Sequence, residues 1–280
     1  MTRWPIRTSK DTAIAAYTIN SKIELLYSST AMFTTVQVLD LKINVSSLGQ
    51  AVDEVQSLID SGEKHYVCFI EGNLLHNYFS RPKEIAEILN AASLSYPDGA
   101  STAKFASIAA GHPVERVTGP SFFIRACEEG IKRDWKHYFY GGAEGVAEQL
   151  ANTMRERFPG IQIVGVKCPP FRPPTDKEID ELSDELREKK VDLLWVALGG
   201  PRQEIWMHQY LGRIPVPVMF GVGAAFDFHT ENQSWAPPLI RKIKMEWLWR
   251  AVTGGRRVFM RNIVCVSHVA WRLFLYRLFN

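Results

Sequence analysis

Apolar positions along this chain fall into short runs that are typical of buried strands. His65–Ile70 and Leu193–Leu198 are mostly apolar, as are strands at the centre of a parallel sheet. Thr35–Val45 is a β-branched run that predicts a further strand. Such runs recur at intervals that leave room for a helix between them.

The segments between these runs repeat their apolar positions with the period of an α-helix. Glu144–Phe158 is amphipathic, and Lys177–Lys190 has a heavily charged outer face. Leu74–Ala92 is also helical, and Pro82 predicts a break in it. The alternation predicts an α/β fold, with a Rossmann-like, mostly parallel sheet that has helices on both faces.

The character of the sequence changes twice, which predicts three parts. Residues 1–34 lack a clear period and predict a poorly ordered N-terminal extension. Residues 35–236 carry the alternating pattern of the α/β domain. Residues 237–280 predict a C-terminal basic amphipathic helical appendage that binds a membrane. A helix that docks on the domain or forms a homo-oligomer would have the same pattern.

Charge is distributed unevenly along the chain. The whole chain carries only +3, whereas residues 241–280 hold nine Lys or Arg against one acid. In the predicted C-terminal helix Arg257, Arg261 and Arg272 share one face. This excess of positive charge predicts an anionic membrane surface as partner. We expect no nucleic-acid partner.

The remaining sequence features favour a cytoplasmic protein. The four cysteines form no C-x-x-C pair, which is typical of a reduced protein. The N-terminus lacks the pattern of a signal peptide, and no apolar run reaches the ~18 residues that a membrane span needs. The predicted location is cytoplasmic, peripheral on the inner face of the plasma membrane.

Loops of unusual composition follow the predicted strands. In parallel sheets ligands bind beyond the carboxyl ends of the strands, so these loops are candidate site segments. They are Glu71-Gly72-Asn73, Pro97-Asp98-Gly99, Gly141-Gly142, Gly199-Gly200-Pro201-Arg202-Gln203-Glu204 and Gly221–Asp227.

Pro97-Asp98-Gly99 allows two interpretations. Proline, aspartate and glycine each suit a tight turn. A carboxylate at the end of a strand is equally placed to take a proton from an acceptor hydroxyl, as a one-step displacement requires.

The glycine-rich loops are ambiguous as well. Gly141-Gly142 and Gly221–Phe226 suit a phosphate that approaches backbone N–H groups, but neither has the G-x-G-x-x-G spacing, and a plain turn is an alternative. The loop that begins at Gly199 opens a helix with an arginine and two side chains able to bind hydroxyls. A capped surface helix is the other interpretation. Without Asp-x-Asp or a histidine pair at ligand spacing, we expect no metal site.

Taken together and in order, these motifs resemble those of one enzyme family. They are Asn73, Tyr96–Gly99, Arg116–Gly119, Tyr140–Gly142 with Gly145–Ala147, Ala197–Trp206, Gly221–Phe228, Trp235–Pro237 and Glu246–Arg250. The set resembles the WecG/TagA/CpsF family of bacterial glycosyltransferases over about residues 35–262.

The resemblance implies an inverting transfer of a sugar from a UDP-sugar to a sugar on polyprenyl diphosphate, in the biosynthesis of cell-surface polysaccharide. It implies a Rossmann-like fold, with neither a metal nor a cofactor beyond the donor substrate. The implied base is Asp98. The implied substrate- and donor-binding residues are Asn73, Glu71, Arg116, Gly141, Gly142, Gln203 and Asp227. Arg250, Arg257 and Arg261 would bind the diphosphate from the appendage.

The chain departs from the family pattern near this implied site. Glu71 stands where many members have threonine, Ser121 replaces a common aspartate, and Cys168–Phe171 replaces a Gly-Tyr-type loop. Ala100-Ser101 also differs from the usual Ile-Gly. None of these changes affects Asp98.

Two other functions share parts of this pattern. A nicotinamide-dependent Rossmann oxidoreductase would use the same architecture, although the missing G-x-G-x-x-G argues against it. A non-catalytic peripheral membrane scaffold would need only the basic tail.

Overall fold

The computed structural model describes residues 33–223, 225–230, 249 and 255–279. Its strands are β1 (Thr35–Val38), β2 (Leu41–Asn44), β3 (His65–Ile70), β4 (Leu94–Pro97), β5 (Lys136–Gly141), β6 (Gln162–Lys167), β7 (Leu193–Ala197) and β8 (Val218–Gly221). Six of them form one sheet in the order β4-β3-β8-β7-β5-β6, and every neighbouring pair is parallel. The predicted mostly parallel α/β fold is confirmed.

The prediction of a single strand at the start of the domain was wrong. Residues 35–44 form an antiparallel hairpin, whereas the sequence predicted one strand over Thr35–Val45. The chain turns at Leu39, whose φ of 58° is left-handed. Asn90 fixes this turn, since its side chain donates to the Asp40 carbonyl and accepts from the Lys42 amide.

Helices cover both faces of the sheet. They are α1 (Leu48–Asp60), α2 (Gly72–Ser80), α3 (Pro82–Ala91), α4 (Ala100–Ala110), α5 (Gly119–Arg133), α6 (Val146–Arg157), α7 (Asp176–Glu188), α8 (Arg202–Tyr210), α9 (Ala225–His229) and α10 (Gly255–Phe279). One core contains side chains of α2, α3, α4, α7, α8 and α10, and the opposite core contains those of α1, α5, α6 and α9. In β3, Tyr66 and Cys68 join the first core while Val67 and Phe69 join the second. This alternation is what buries the strand on both sides.

The predicted break in the second helical segment is confirmed. Pro82 is the first residue of α3, a position where its missing N–H costs nothing. The helix before it, α2, begins directly after β3 and therefore starts at the carboxyl edge of the sheet.

The last helix, α10, lies against α2 and α4. Cys265, Val269 and Tyr276 are its buried residues, and Arg272 lies over the ring of Phe79. Its large exposed apolar side chains are Phe259, Met260, Ile263, Val264, Trp271, Phe274 and Leu278. The predicted helix is therefore present, and those of its exposed side chains that the structure describes are mostly apolar.

Two features of the predicted domain organisation stay predictions. Residues 1–32 and 231–248 lie outside the described part of the chain, and the boundaries at residues 34 and 236 fall in or beside them. Among the described helices, none is both long and apolar enough to cross a membrane.

Candidate active site

The candidate site lies at the carboxyl edge of the sheet. Because all six strands are parallel, the loops that follow β3, β4, β5, β7 and β8 meet at this edge. These loops contain most of the residues that the sequence singled out.

Asp98 directly follows β4 and is held by the start of α5. Its Oδ2 accepts a hydrogen bond from the Gly119 amide at 3.0 Å. The Asp98 carbonyl accepts from Arg116 Nε at 2.7 Å, so Arg116 fixes the backbone of this loop. Asp98 is only partly buried. The structure therefore places the carboxylate in a fixed orientation at the carboxyl edge of the sheet.

Glu71 and Asn73 form the neighbouring loop after β3. Glu71 caps α2, since its carboxylate accepts from the amides of Asn73 at 2.7 Å and Leu74 at 3.0 Å. Asn73 Nδ2 donates to the Gly200 carbonyl at 3.2 Å, which links this loop to the one after β7.

The loops of Asp98 and Glu71 touch through their backbones. A Cβ on Gly99 would lie 3.2 Å from the Gly72 amide nitrogen and 3.3 Å from Glu71 Cα. The Gly99 amide also donates to the Ile70 carbonyl at 3.0 Å. Only glycine fits at position 99 without a shift of the backbone.

Gly141 and Gly142 serve the packing of the sheet. Gly141 has a φ of 115°, and a Cβ there would lie 2.5 Å from the Ala197 carbonyl oxygen. The Gly142 amide donates to the same oxygen at 2.9 Å. The N–H group that a phosphate would have used at Gly142 is thus already bound within the protein.

Asp227 reaches the same region from α9. A Cβ on Gly142 would lie 3.5 Å from Cδ2 of Phe226, the residue before Asp227. Asp227 is half-buried, and this burial raises the pKa of its carboxyl. The start of α9 therefore packs beside Gly142 through Phe226, and the predicted role of Asp227 near a nucleotide stays a prediction.

Gln203 and Glu204 are buried at the start of α8. Gln203 Nε2 donates to Glu204 Oε1 at 2.8 Å. Burial raises the pKa of Glu204 to about 7, against the opposing effect of the Gln203 hydrogen bond, and the charge of Glu71 raises it further. The sequence indicated both side chains as able to bind hydroxyls, and the family resemblance implied only Gln203 as a binding residue. The burial of Glu204 was not predicted, because a glutamate in the first turn of a helix ordinarily faces solvent.

Arg202, beside this pair, contacts an exposed aromatic ring. Its guanidinium lies 4.3 Å from the ring centroid of Phe171, in the loop after β6. Partial burial lowers the pKa of Arg202. This contact lies at the β6 end of the carboxyl edge.

The C-terminal helix approaches the loop after β3. Cys265 Sγ lies 3.9 Å from Asn73 Oδ1, and His268 contacts His76 on α2. Arg250 is outside the described residues, and Arg257 and Arg261 lie on α10 with side chains outside them. Their predicted contact with a diphosphate stays a prediction. Within the described residues, no cluster of three His, Cys, Asp or Glu side chains could hold a metal ion.

Two known proteins are similar to this chain in sequence. Two relatives are each named N-acetylglucosaminyldiphosphoundecaprenol N-acetyl-beta-D-mannosaminyltransferase. The one from Bacillus spizizenii is 28% identical over 171 residues, which span 61% of this chain and 64% of the relative. The one from Bacillus subtilis strain 168 is 23% identical over 211 residues, which span 72% of this chain and 79% of the relative. The match thus covers less than two thirds of the first relative.

The family comparison covers more of the chain. The model of the glycosyl transferase WecG/TagA/CpsF family matches residues 36–280, which include every described strand except the first residue of β1. The chain belongs to the WecG/TagA/CpsF family of glycosyl transferases.

Proposed function

We propose that this protein is an inverting glycosyltransferase that moves a sugar from a UDP-sugar to a sugar on polyprenyl diphosphate. The observation that carries the proposal is the Asp98 carboxylate, held by the Gly119 amide at the ligand-binding edge of the sheet. Membership of a glycosyl transferase family supports the reaction type. The acceptor class follows from the names of the two Bacillus relatives.

In this proposal Asp98 is the general base. Its carboxylate takes the proton of an acceptor hydroxyl while that oxygen attacks the anomeric carbon of the donor. The bond from the anomeric carbon to the diphosphate oxygen breaks, and its electron pair leaves with UDP. One attack on the face opposite the leaving group inverts the anomeric centre. The hydrogen bond from Gly119 orients the carboxylate for this single proton transfer.

The other polar side chains at this edge bind the substrates in the proposal. Asn73 and Glu71 lie beside Gly200, Gln203 lies beside Gly223, and all three would contact sugar hydroxyls. Arg116 would reach the acceptor from beside Asp98, and Asp227 with Gly141-Gly142 would lie near the nucleotide.

The charge of the leaving diphosphate needs a positive partner. We assign this role to Arg250, Arg257 and Arg261 instead of a metal ion, because charge-assisted hydrogen bonds from arginine stabilise phosphate oxygens. The enzyme would then need no divalent cation and no cofactor.

The outward surface of α10 supports attachment to a membrane that holds the lipid-linked acceptor. Trp271 and Phe274 are more than half exposed and stack on each other at 5.9 Å. Aromatic side chains of this kind insert at the boundary between headgroups and acyl chains. Each Lys or Arg near an anionic surface adds ~1 kcal/mol. We place the protein as a peripheral enzyme on the inner face of the plasma membrane.

A screen of donors tests the proposed reaction. Purified protein is incubated with a panel of UDP-sugars and a short-chain polyprenyl-diphosphate GlcNAc acceptor, and products are read by mass spectrometry. We expect one UDP-sugar to add its sugar mass to the acceptor, with an inverted anomeric centre by NMR. Failure of every donor, in an assay where a Bacillus relative is active, would reject the proposal. A thermal shift with NAD and none with UDP would favour the oxidoreductase.

A further inference from the structure

We propose that Glu204 is a positioning residue, which fixes the side-chain amide of Gln203 so that its oxygen faces the substrate as a hydrogen-bond acceptor. This inference deepens the proposed function and rests on it for its kinetic test. Glu204 itself touches no substrate in this proposal. It acts through Gln203.

The contact between the two side chains is specific. Neighbouring residues of a helix point in directions about 100° apart and do not ordinarily meet. Here Gln203 Nε2 nevertheless donates to Glu204 Oε1 at 2.8 Å. Both side chains are buried, with exposures of 5% for Gln203 and 1% for Glu204. The pair is therefore a built feature of the site rather than a surface encounter.

Glycines on two sides make room for this pair. A Cβ on Gly221, at the end of β8, would lie 3.1 Å from Gln203 Nε2 and 3.2 Å from Glu204 Oε1. On the other side, a Cβ on Gly200 would lie 3.5 Å from Glu204 Oε2. The carboxyl is thus enclosed between the backbones that follow β7 and β8.

The same distances show which way the Gln203 amide points. Its Nε2 is the atom closest to Gly221, within the sheet, and its Oε1 is the atom closest to Gly223, in the loop beyond the strand end. The oxygen therefore lies on the side of the candidate site. A carboxylate can only accept hydrogen bonds, so an ionised Glu204 requires the amide nitrogen on its own side.

The Gln203 oxygen is left without a partner. Neither it nor Glu204 Oε2 makes a hydrogen bond with any described residue, although both are fully buried. A buried acceptor of this kind is satisfied when a ligand donates to it. The ligand group is consequently a hydrogen-bond donor, such as a sugar hydroxyl or the N–H of an acetamido group.

Three variants test the inference kinetically. Glu204→Met keeps the volume but removes the acceptor, and we expect KM for one substrate to rise about tenfold with little change in kcat, the loss typical of one hydrogen bond. Glu204→Gln can still accept from Gln203 Nε2 and should recover most of this loss. In a Gln203→Met background, Glu204→Met should have no further effect on KM, because its target is gone.

Two results would contradict the positioning role of Glu204. If Glu204→Met folds as well as the wild type and has an unchanged KM, the carboxyl has only a structural role. If it still raises KM tenfold in the Gln203→Met background, it acts on the substrate directly. Either result overturns the inference.

A second readout separates this inference from the proposed function. The side-chain amide protons of Gln203, assigned by their loss in Gln203→Met, are followed by NMR hydrogen exchange in the protein without substrate. We expect slow exchange in the wild type and faster exchange in Glu204→Met, whatever reaction the enzyme catalyses. Equal exchange in both proteins contradicts the positioning role even when the transferase reaction is confirmed.

Discussion

The Nδ1 atoms of His76 and His268 lie 3.0 Å apart, where α10 packs on α2. One ring must donate and the other accept, so the contact needs at least one neutral imidazole. Burial lowers the pKa of His268, and the nearby charges of His76 and Arg272 lower it further. The edge-to-face ring contact with His76 and the ring of Phe79 complete this side of the interface. Docking of the C-terminal helix is therefore linked to protonation.

We expect α10 to dock less tightly as the pH falls. The pKa of His268 is lower in the docked helix than its ordinary value of 6.5. The undocked form thus binds a proton more readily, and docking is lost as the pH falls through about 6.5 toward the lowered value. Hydrogen exchange of α10 backbone amides, measured from about pH 7.5 to about pH 5.5, should show falling protection after correction for intrinsic rates. His268→Phe should flatten this dependence, and His112→Phe, at an exposed histidine, should not. A flat wild-type profile would contradict the linkage.

Replacement of the proposed base should separate catalysis from binding. Asp98→Asn keeps the size of the side chain and its capacity to accept from Gly119, but it cannot take a proton. We expect turnover to fall by ~10²–10⁴ while UDP still binds, as seen by calorimetry. Asp60→Asn, at an exposed residue of α1, is the matched control and should keep full activity. A folded Asp98→Asn protein with more than about a tenth of wild-type turnover would return this residue to a turn-forming role.

The exposed aromatic pair of α10 should hold the protein on membranes. We expect Trp271→Ser with Phe274→Ser to reduce co-sedimentation with anionic liposomes at least about tenfold, since each buried apolar side chain contributes ~1.5–3 kcal/mol. Turnover of a soluble acceptor analogue should stay near wild type, because neither ring faces the domain. Ile131→Ser, on the other side of the molecule, controls for loss of an exposed apolar residue. Unchanged sedimentation would show that the helix attaches to membranes by charge alone.

We expect arginine side chains, and not a metal ion, to stabilise the charge of the leaving diphosphate. A chelator should leave turnover unchanged, and Arg257→Ala or Arg261→Ala should lower it about tenfold or more, the scale of one lost transition-state hydrogen bond to a charged group. Added Mg²⁺ should not restore these variants. Loss of wild-type activity with chelator, and its recovery with Mg²⁺ or Mn²⁺, would show that a metal takes part.

The sheet could be predicted because its signals are local. A run such as Leu193–Leu198 is apolar throughout. A strand of this composition must be buried on both faces, which occurs at the centre of a parallel sheet. The break at Pro82 also depends on a single residue. The hairpin at residues 35–44 could not be predicted in this way, because Asn90 fixes its turn from a distant point of the chain.

The sequence predicted where the candidate site lies, but it did not predict which of its polar groups are bound or buried within the protein. Parallel strands bring their loops together whatever the side chains, so Asp98 and Asn73 had to meet at one edge. The sequence did not show that the Gly142 amide is bound by Ala197, or that Glu204 is buried. Both facts depend on how closely two backbones approach, which spacing along the chain does not report. The periodicity of α10 likewise predicted a helix, but the residues of α2 decide which of its faces points outward.

The backbone contact between Gly99 and Gly72 has a consequence for how such enzymes diversify. Asp98 is held by the Gly119 amide and by Arg116, and its loop packs on main-chain atoms of Glu71 and Gly72. Because this packing uses only main-chain atoms of residue 71, it is kept when the side chain there changes from a small hydroxyl to the carboxylate of Glu71. A substitution at residue 71 thus alters the side chain that one loop presents and leaves the packing of the Asp98 loop unchanged.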